Sequence, residues 1–342
     1  MDIAENVDLR AHSTMRLGGK ARYLAEARND QDIAELVEWA KQKNVPYLMI
    51  GQGSNIVWRD EGFPGLIIVN RIAGREVLSQ DDGGATVRLG GGENWDDAVA
   101  WTIENGWGGL ELLSRIPGTA GAAPVQNIGA YGSELAETLV EVEAYDTVVG
   151  AFGGILNEAC NFAYRTSRFK TSDKGRFLIT GVVLRLYKSQ PAPPFYESLA
   201  GYFESRGITT YTRETIREAV TAIRAIKLPD PSRVNNNGSF FTNPIVDKTQ
   251  AEELQKRYPD IKSWPLADGR AKLSAGWLVE QAGFKQVRDS ETGMATWRGS
   301  ALVLVNERAN STADLLKFKQ KIVDKVQAMF GVTLEQEPEL LP

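Results

Sequence analysis

The chain holds one cysteine, Cys160, and one histidine, His12, and that scarcity restricts its chemistry. A zinc site of Cys/His type needs three or four ligands. No disulfide can close within the chain. A Ser-His-Asp or Cys-His device would have to recruit His12, beside the terminus. Proton transfer therefore falls to Ser, Tyr, Lys, Arg, Asp or Glu. One hydroxyl attracts notice: in NNNGSFFTNP (235–244), Ser239 stands between an asparagine-glycine turn and the rings of Phe240 and Phe241. On its own this reads as a hairpin whose next strand begins Ser-Phe-Phe.

Four other stretches could carry chemistry. YLMIGQGSNIVW contains Gly51-x-Gly53, but β-like residues follow and no third glycine does, so the dinucleotide fingerprint is excluded. A strand-loop-strand fits better. Its backbone N–H groups, with Ser54 and Asn55, could form an anion nest, or the loop could be a plain glycine hairpin. RIPGTAGAAPVQNIGAYGSE (115–134) packs four glycines, four alanines and two prolines around Gln126, Asn127 and Tyr131. Small residues let backbone approach a flat or polyanionic ligand, and amides can read its heteroatoms. FAYRTSRFK (162–170) offers Tyr164, Arg165, Arg168 and Lys170; alternation would put Tyr164 and Thr166 on one face of a strand, and a solvated basic strand end fits equally. AIRAIKLPDP (222–231) sets Arg224 and Lys227 on one helix face, as a phosphate clamp or an ordinary charged last turn. Glu339, near the end, reads alone as a solvated carboxylate.

The elements that must position these residues are legible. ARYLAEA (21–27), PYLMI (46–50) and GLIIVN (65–70) read as strands around a helix QDIAELVEWAKQK, capped by Asp30 and ended by Asn44, with Ile33, Leu36, Val37 and Ala40 as its apolar stripe. Residues 71–190 are glycine- and strand-rich, including ATVRLGGG, LVEVEAYDT and RFLITGVVLRLY. QPAPPFYES (190–198) reads as a linker or exposed loop, and 213–227 as a helix capped by Thr212. A third, α+β lobe spans 230–330, with a helix around KLSAGWLVEQAGF and the strand ALVLVN. Its last helix carries a Ser311/Asp314 capping box, a stripe of Leu315, Phe318, Ile322, Val326 and Met329, and a closing Gly331. A final strand, VTLEQEPEL, follows. The 342 residues suit two or three lobes of a globular protein. Net charge is −5, with no basic tail, which argues against nucleic acid. No apolar run reaches membrane length, and the acidic N-terminus lacks a signal-peptide h-region, so a cytoplasmic location is expected.

Taken in order, GQGSN, IPGTAGAAPVQNIGAYG, YRTSRFK, KLPDP, NNNGSFFTNP and LEQEPE resemble the UDP-N-acetylenolpyruvoylglucosamine reductases, in the variant with a tyrosine loop, over nearly the whole chain. The resemblance implies an α+β fold: a two-lobed FAD-binding domain of the PCMH type (vanillyl-alcohol-oxidase-like), at 17–188, plus a C-terminal α+β substrate-binding domain at 228–330. The lobes would cover about 1–70 and 71–227, with 331–342 returning to them. It implies noncovalent FAD, since neither His12 nor Cys160 lies in the glycine-rich loops, and NADPH as hydride donor. Gly51, Gly53, Ser54 and Asn55, with Pro117, Gly118, Gly121, Gln126, Asn127, Gly129, Ala130, Tyr131 and Gly132, would hold the cofactor. Ser239 would be the proton donor to the enolpyruvyl C2. Arg165 would pair with the substrate carboxylate, and Glu339 would polarise the carboxylate or enol. Tyr164, Tyr196, Arg224, Lys227, Asn243 and Lys272 would contact the substrate, chiefly its diphosphate and uridine. No metal is implied, and a monomer is expected. The chain departs from the family pattern at Gly299-Ser300, where a polar amide is frequent, and at Ala122-Ala123, where hydroxyls are. Two other readings compete: a PCMH-type flavin oxidase of a small alcohol, and a non-flavin UDP-sugar-binding protein or nucleotidyltransferase.

Overall fold

The computed structural model describes residues 2–342. They form two compact units. The first comprises the N-terminal residues through Val7, Ala21–Gln52 and Phe63–Ala225; the second comprises Asp8–Lys20, Gly53–Gly62 and Ile226–Pro342.

The first unit is built on two sheets. In one, the strands Ala4–Asp8, Lys20–Ala27, Phe63–Asn70 and Tyr47–Ile50 lie in that order, and the last three run parallel. The helix Asp30–Gln42 connects them and buries Ile33, Leu36, Val37 and Ala40 against Leu66 and Ile68, the stripe read from the sequence. Its N-cap is Asn29 rather than Asp30: the Asn29 side chain accepts from the Asp32 backbone N–H, and Asp30 falls in the first turn, where a carboxylate suits the helix dipole. The other sheet is antiparallel, in the order Ala151–Leu156, Leu139–Asp146, Phe177–Tyr187, Gly84–Gly90, Arg75–Gln80. The helix Trp95–Glu104 covers it, burying Trp95, Ala98, Val99 and Ile103. Buried Asn70 links the two sheets by donating to the Ile179 carbonyl at 2.9 Å. Beyond the sheets, the helices Glu197–Ser205 and Arg213–Lys227 share a small core of Leu199, Phe203, Ile216, Ala219, Val220 and Ile223. The proline-rich stretch enters this core through Phe195.

In the second unit the strand Asn235–Ser239 pairs with Ser300–Asn306, which pairs with Met294–Trp297. The helix Thr312–Phe330 carries the expected capping box at Ser311 and Asp314 and ends at Gly331 in the left-handed region. Leu315, Phe318, Ile322 and Val326 are buried as read, but Phe330 completes the stripe and Met329 is only partly buried. Phe240 and Phe241 lie in this core, each worth about 1.5–3 kcal/mol of burial. His12 is half-buried, its carbonyl accepting from the Trp58 indole at 3.2 Å.

The stretch 162–170 is not a strand. Ala163 and Thr166 exchange backbone hydrogen bonds, closing a tight turn whose third residue, Arg165, sits at φ 54°. Alternation therefore does not put Tyr164 and Thr166 on one face of a strand.

Cys160 is fully buried, its thiol donating to the Leu156 carbonyl at 3.4 Å, and burial pushes its pKa up to about 11. At pH 8 almost no thiolate is present. The native protein should resist iodoacetamide for hours and take up one equivalent promptly in denaturant, as read by intact mass; rapid native labelling would show that this packing is wrong.

Candidate active site

In the first unit, the segment after Ser114 packs as backbone against backbone. Gly121 donates to the Gly91 carbonyl at 2.9 Å, and a Cβ added at Gly121 would lie 2.9 Å from that same oxygen. Gly118, at φ 129°, accepts from the Trp95 N–H. Between these glycines Thr119 is 3% exposed, and its hydroxyl has no hydrogen-bond partner among the described residues. A Cβ on Gly51 would stand 2.4 Å from that hydroxyl. A buried polar group left unmade costs about 1–3 kcal/mol. An unclaimed hydroxyl facing a side-chain-free glycine suits a ligand rich in heteroatoms that needs close backbone approach, and a flavin cofactor is one. Thr119 escaped the sequence reading. Its signal was a lone hydroxyl between Gly118 and the small residues 120–123.

The rest of the segment is shaped by residues in the left-handed region: Asn127 (φ 46°), Tyr131 (φ 54°) and Gly132 (φ 90°). Asn127 is completely buried and its amide is engaged within the protein, donating to Glu134 at 2.7 Å and accepting from the Ala136 N–H at 3.0 Å. It holds the loop's shape. Gln126, Gly129 and Ala130 are half-buried, and Pro117 is exposed. Arg165 donates to the Gly129 carbonyl at 2.6 Å and lies 5.3 Å from the centre of the Tyr164 ring. A Cβ on Gly129 would approach the Arg165 guanidinium to 3.0 Å, so the absent side chain makes room for the arginine. Tyr131 stacks edge-on against Tyr196, centroids 6.1 Å apart, and Tyr196 stands at the N-cap of its helix, 42% exposed. Burial raises the Tyr131 phenol and lowers Arg224, each opposed by the other's charge. Arg224 Nε is buried without a partner, so that side chain, too, is prepared for an anion.

In the second unit, Gly53 sits at φ 72° and a Cβ there would meet the His12 carbonyl at 2.1 Å. The loop Ser54-Asn55 follows, and Ile56–Trp58 then pairs in parallel with Glu339–Leu341. Glu339 is thus held through its backbone, donating to the Asn55 carbonyl at 2.9 Å, while the Arg59 N–H donates to Leu341 at 2.8 Å. The short C-terminal strand is fixed at both ends. Ser239 is half-buried at the end of its strand, opposite Val303. Asn243 accepts from the Ala275 N–H at 3.0 Å, and Lys272 lies over the Trp264 ring at 5.8 Å. Lys227 is exposed at the end of its helix. Gly299 is required: a Cβ would be 2.5 Å from the Ile226 carbonyl.

The geometry thus gathers Gly51, Thr119, the 117–132 loop, Tyr164, Arg165, Tyr196 and Arg224 in one unit, and Gly53–Asn55, Lys227, Ser239, Asn243, Lys272 and Glu339 in the other. Among the described residues there is no cluster suited to a metal ion, and no helix is long and apolar enough to cross a membrane.

Two family models match: an FAD binding domain over residues 21–155, and the C-terminal domain of UDP-N-acetylenolpyruvoylglucosamine reductase over 230–341. A protein of that name from Alcanivorax borkumensis is 41% identical over 338 residues, spanning 99% of this chain and 96% of its own. Another from Pseudomonas aeruginosa is 39% identical over 340 residues, with 99% of each covered. The crystal structure of the Thermus caldophilus enzyme superposes with a TM-score of 0.67 over the whole of both chains, at 24% identity, which speaks to the fold. The fold is α+β, a PCMH-type FAD-binding domain joined to a C-terminal domain of the reductase type. On this identity and coverage, the chain belongs to the UDP-N-acetylenolpyruvoylglucosamine reductase family.

Proposed function

We propose that this protein is the NADPH-dependent flavoenzyme that reduces UDP-N-acetyl-3-O-(1-carboxyvinyl)-glucosamine to UDP-N-acetylmuramate, a step in making peptidoglycan precursors, and that it works as a cytoplasmic monomer. The observation that carries this reading is full-length similarity, 41% over 99% of the chain, to proteins named for that reductase. The unclaimed Thr119 hydroxyl facing Gly51 supports a tightly held flavin. The oxidase and the non-flavin alternatives are not favoured, since an FAD-binding model and a reductase-specific model match different parts of one chain.

Bound FAD supplies two-electron carriage of hydride from NADPH to the terminal vinyl carbon. Hydride addition there leaves negative charge on C2 and on the adjoining carboxylate. Arg165 pairs with that carboxylate and opposes the growing charge. Its guanidinium is preset by the Gly129 carbonyl and the Tyr164 ring, so little reorganisation accompanies the reaction. Ser239 gives its hydroxyl proton to C2. A serine is a weak acid, but the carbanion is a far stronger base, so the transfer runs downhill. The backbone beneath Ser239 is rigid: Phe240 donates to the Leu302 carbonyl at 2.8 Å, and both phenylalanines are buried, leaving the hydroxyl its own side-chain rotation. Glu339 polarises the carboxylate or enol from its pinned strand. Tyr196, Arg224, Lys227, Asn243 and Lys272 bind the diphosphate and uridine, with Tyr164 beside Arg165.

The purified protein should be yellow, should bleach anaerobically with NADPH, and should recolour on adding the enolpyruvyl substrate. Colourless protein that takes up no FAD would sink the reading. In Ser239→Ala, bleaching should stay near the parent rate while recolouring slows by about 10²–10³-fold, the scale of one lost transition-state contact. Stopped-flow absorbance separates the two steps, and a normal recolouring rate would remove Ser239 from the chemistry.

Arg165→Lys keeps the charge but loses the fork that grips both the Gly129 carbonyl and a carboxylate. It should slow recolouring at least tenfold with bleaching little changed; unaltered single-turnover rates would count against the assignment.

A further inference from the structure

Asn237 has no part in the roles above, yet it binds two other stretches of the second unit through three acceptors. It is 7% exposed, and its Nδ2 lies 3.1 Å from Thr14 Oγ1, 3.0 Å from the Ser54 carbonyl and 3.2 Å from the Ile56 carbonyl. Around it Thr14 donates to the Gly53 carbonyl at 3.1 Å, the Ser13 hydroxyl to the Ile56 carbonyl at 2.8 Å, and Asn236 to the Thr14 carbonyl at 3.0 Å. The Asn237 Oδ1 is buried without a partner, so the donor side alone fixes the amide's orientation; turned over, the oxygen would face two carbonyl oxygens.

Two consequences follow from this placement. First, a trans peptide directs a carbonyl and the next N–H to opposite sides. Holding the Ser54 carbonyl toward Asn237, with the Thr14 hydroxyl also donating to it at 3.4 Å, turns the Asn55 N–H the other way, so the Asn237 amide takes part in setting which way that N–H faces. Second, Asn237 occupies a bulge. Asn236 pairs with Val305 and Ser239 with Val303, so three steps on one strand oppose two on the other, and Gly238 takes φ 72°. Such bulges re-aim a side chain, and register alone leaves their direction loose. The amide anchored at Asn237 removes that looseness two residues before Ser239.

We propose that Asn237 is a positioning residue that couples the Gly53–Asn55 loop to the aim of Ser239, so that cofactor grip and proton delivery are set by one hydrogen-bonded amide. This rests on the roles proposed above for that loop and for Ser239. A plain structural staple, by contrast, would affect only thermal stability.

The test compares wild type with Asn237→Ala and with Asn237→Ser, the milder change, which keeps a hydroxyl donor. FAD Kd is measured by titrating apoprotein, and the two anaerobic half-reactions are followed at saturating FAD. In Asn237→Ala, the FAD Kd should rise at least tenfold and recolouring by the vinyl ether should slow at least tenfold, with NADPH bleaching within threefold of wild type. Asn237→Ser should show both losses in the same direction but smaller, and it carries the test if the alanine variant does not fold. A lowered Tm with Kd and recolouring unchanged overturns the assignment, as does loss of one property without the other. A wild type that binds no FAD, or is not recoloured by the vinyl ether, overturns the proposed function and this coupling with it. Inert substitutions in an active wild-type background overturn the coupling alone.

Discussion

The second unit depends on a side chain that is not there. At Gly53 any Cβ would press to 2.1 Å from the His12 carbonyl, and the backbone turns through φ 72°. Only with that space open can residues 13–15 lie against 53–56, as the Thr14 to Gly53 bond requires. Gly18 repeats the constraint, since its Cβ would fall 2.3 Å from the Cβ of Trp58. Through these two contacts, segments from the first fifth of the chain become part of the C-terminal unit. They bring Asp60 to the start of the helix Thr312–Phe330, where its carboxylate accepts from the Thr312 and Ala313 N–H groups at 2.7 and 3.0 Å. A carboxylate there satisfies orphan donors and meets the positive end of the helix dipole.

In the first unit the comparable constraint is backbone conformation. Arg115, Asn127, Tyr131 and Arg165 all adopt positive φ although none is glycine. Each such residue costs about 1–3 kcal/mol and persists only where its surroundings dictate it. The surroundings do so here: Asn127 is locked by Glu134 and Ala136, Arg165 by the Gly129 carbonyl and the 163–166 turn, and the Arg115 N–H by Asp96 at 2.6 Å. That strain concentrates in the loops read as ligand-binding fits a rigid recognition surface rather than one that forms on contact.

What the sequence made legible was local. The helix Asp30–Gln42 and the capping box at Ser311 announce themselves within four residues, and the strands of the glycine-rich region by alternation. The chemistry-bearing stretches were visible as unusual composition, and their order pointed to the family. What escaped is set by distant partners. The turn at 163–166 arises from an antiparallel bridge that polar alternation imitates as a strand. Phe330 replaces Met329 in the helix stripe because the Tyr258 and Trp277 rings wait at that end, 5.0 and 5.7 Å from it. Thr119 and Asn237 look like loop residues until a glycine across the fold, or three acceptors from two other segments, gives them meaning.

The C-terminal tail shows how few bonds can hold a functional group when they are well placed. Read along the sequence, Glu339 has only three residues after it. In the fold, the tail is fixed from before as well as after. Thr242 donates to the Glu335 carbonyl and Glu337 to the Phe240 carbonyl, so the tail runs antiparallel to the residues immediately past Ser239. Glu339 then donates to Asn55, and Leu341 accepts from Arg59. The tail therefore bridges the two stretches that the Asn237 amide also joins. Residues 235–241, loop 53–58 and tail 335–341 brace one another pairwise, and each carries one of the groups discussed above: Ser239, Asn55 or Glu339. A displacement of one must strain two sets of hydrogen bonds, backbone bonds on the tail's sides and the Asn237 amide on the third, each bond worth about 1 kcal/mol net. On the role proposed for Ser239, a weakly acidic hydroxyl serves best when its backbone is already in place, and this three-way bracing holds that backbone, leaving only the side-chain rotation to be set.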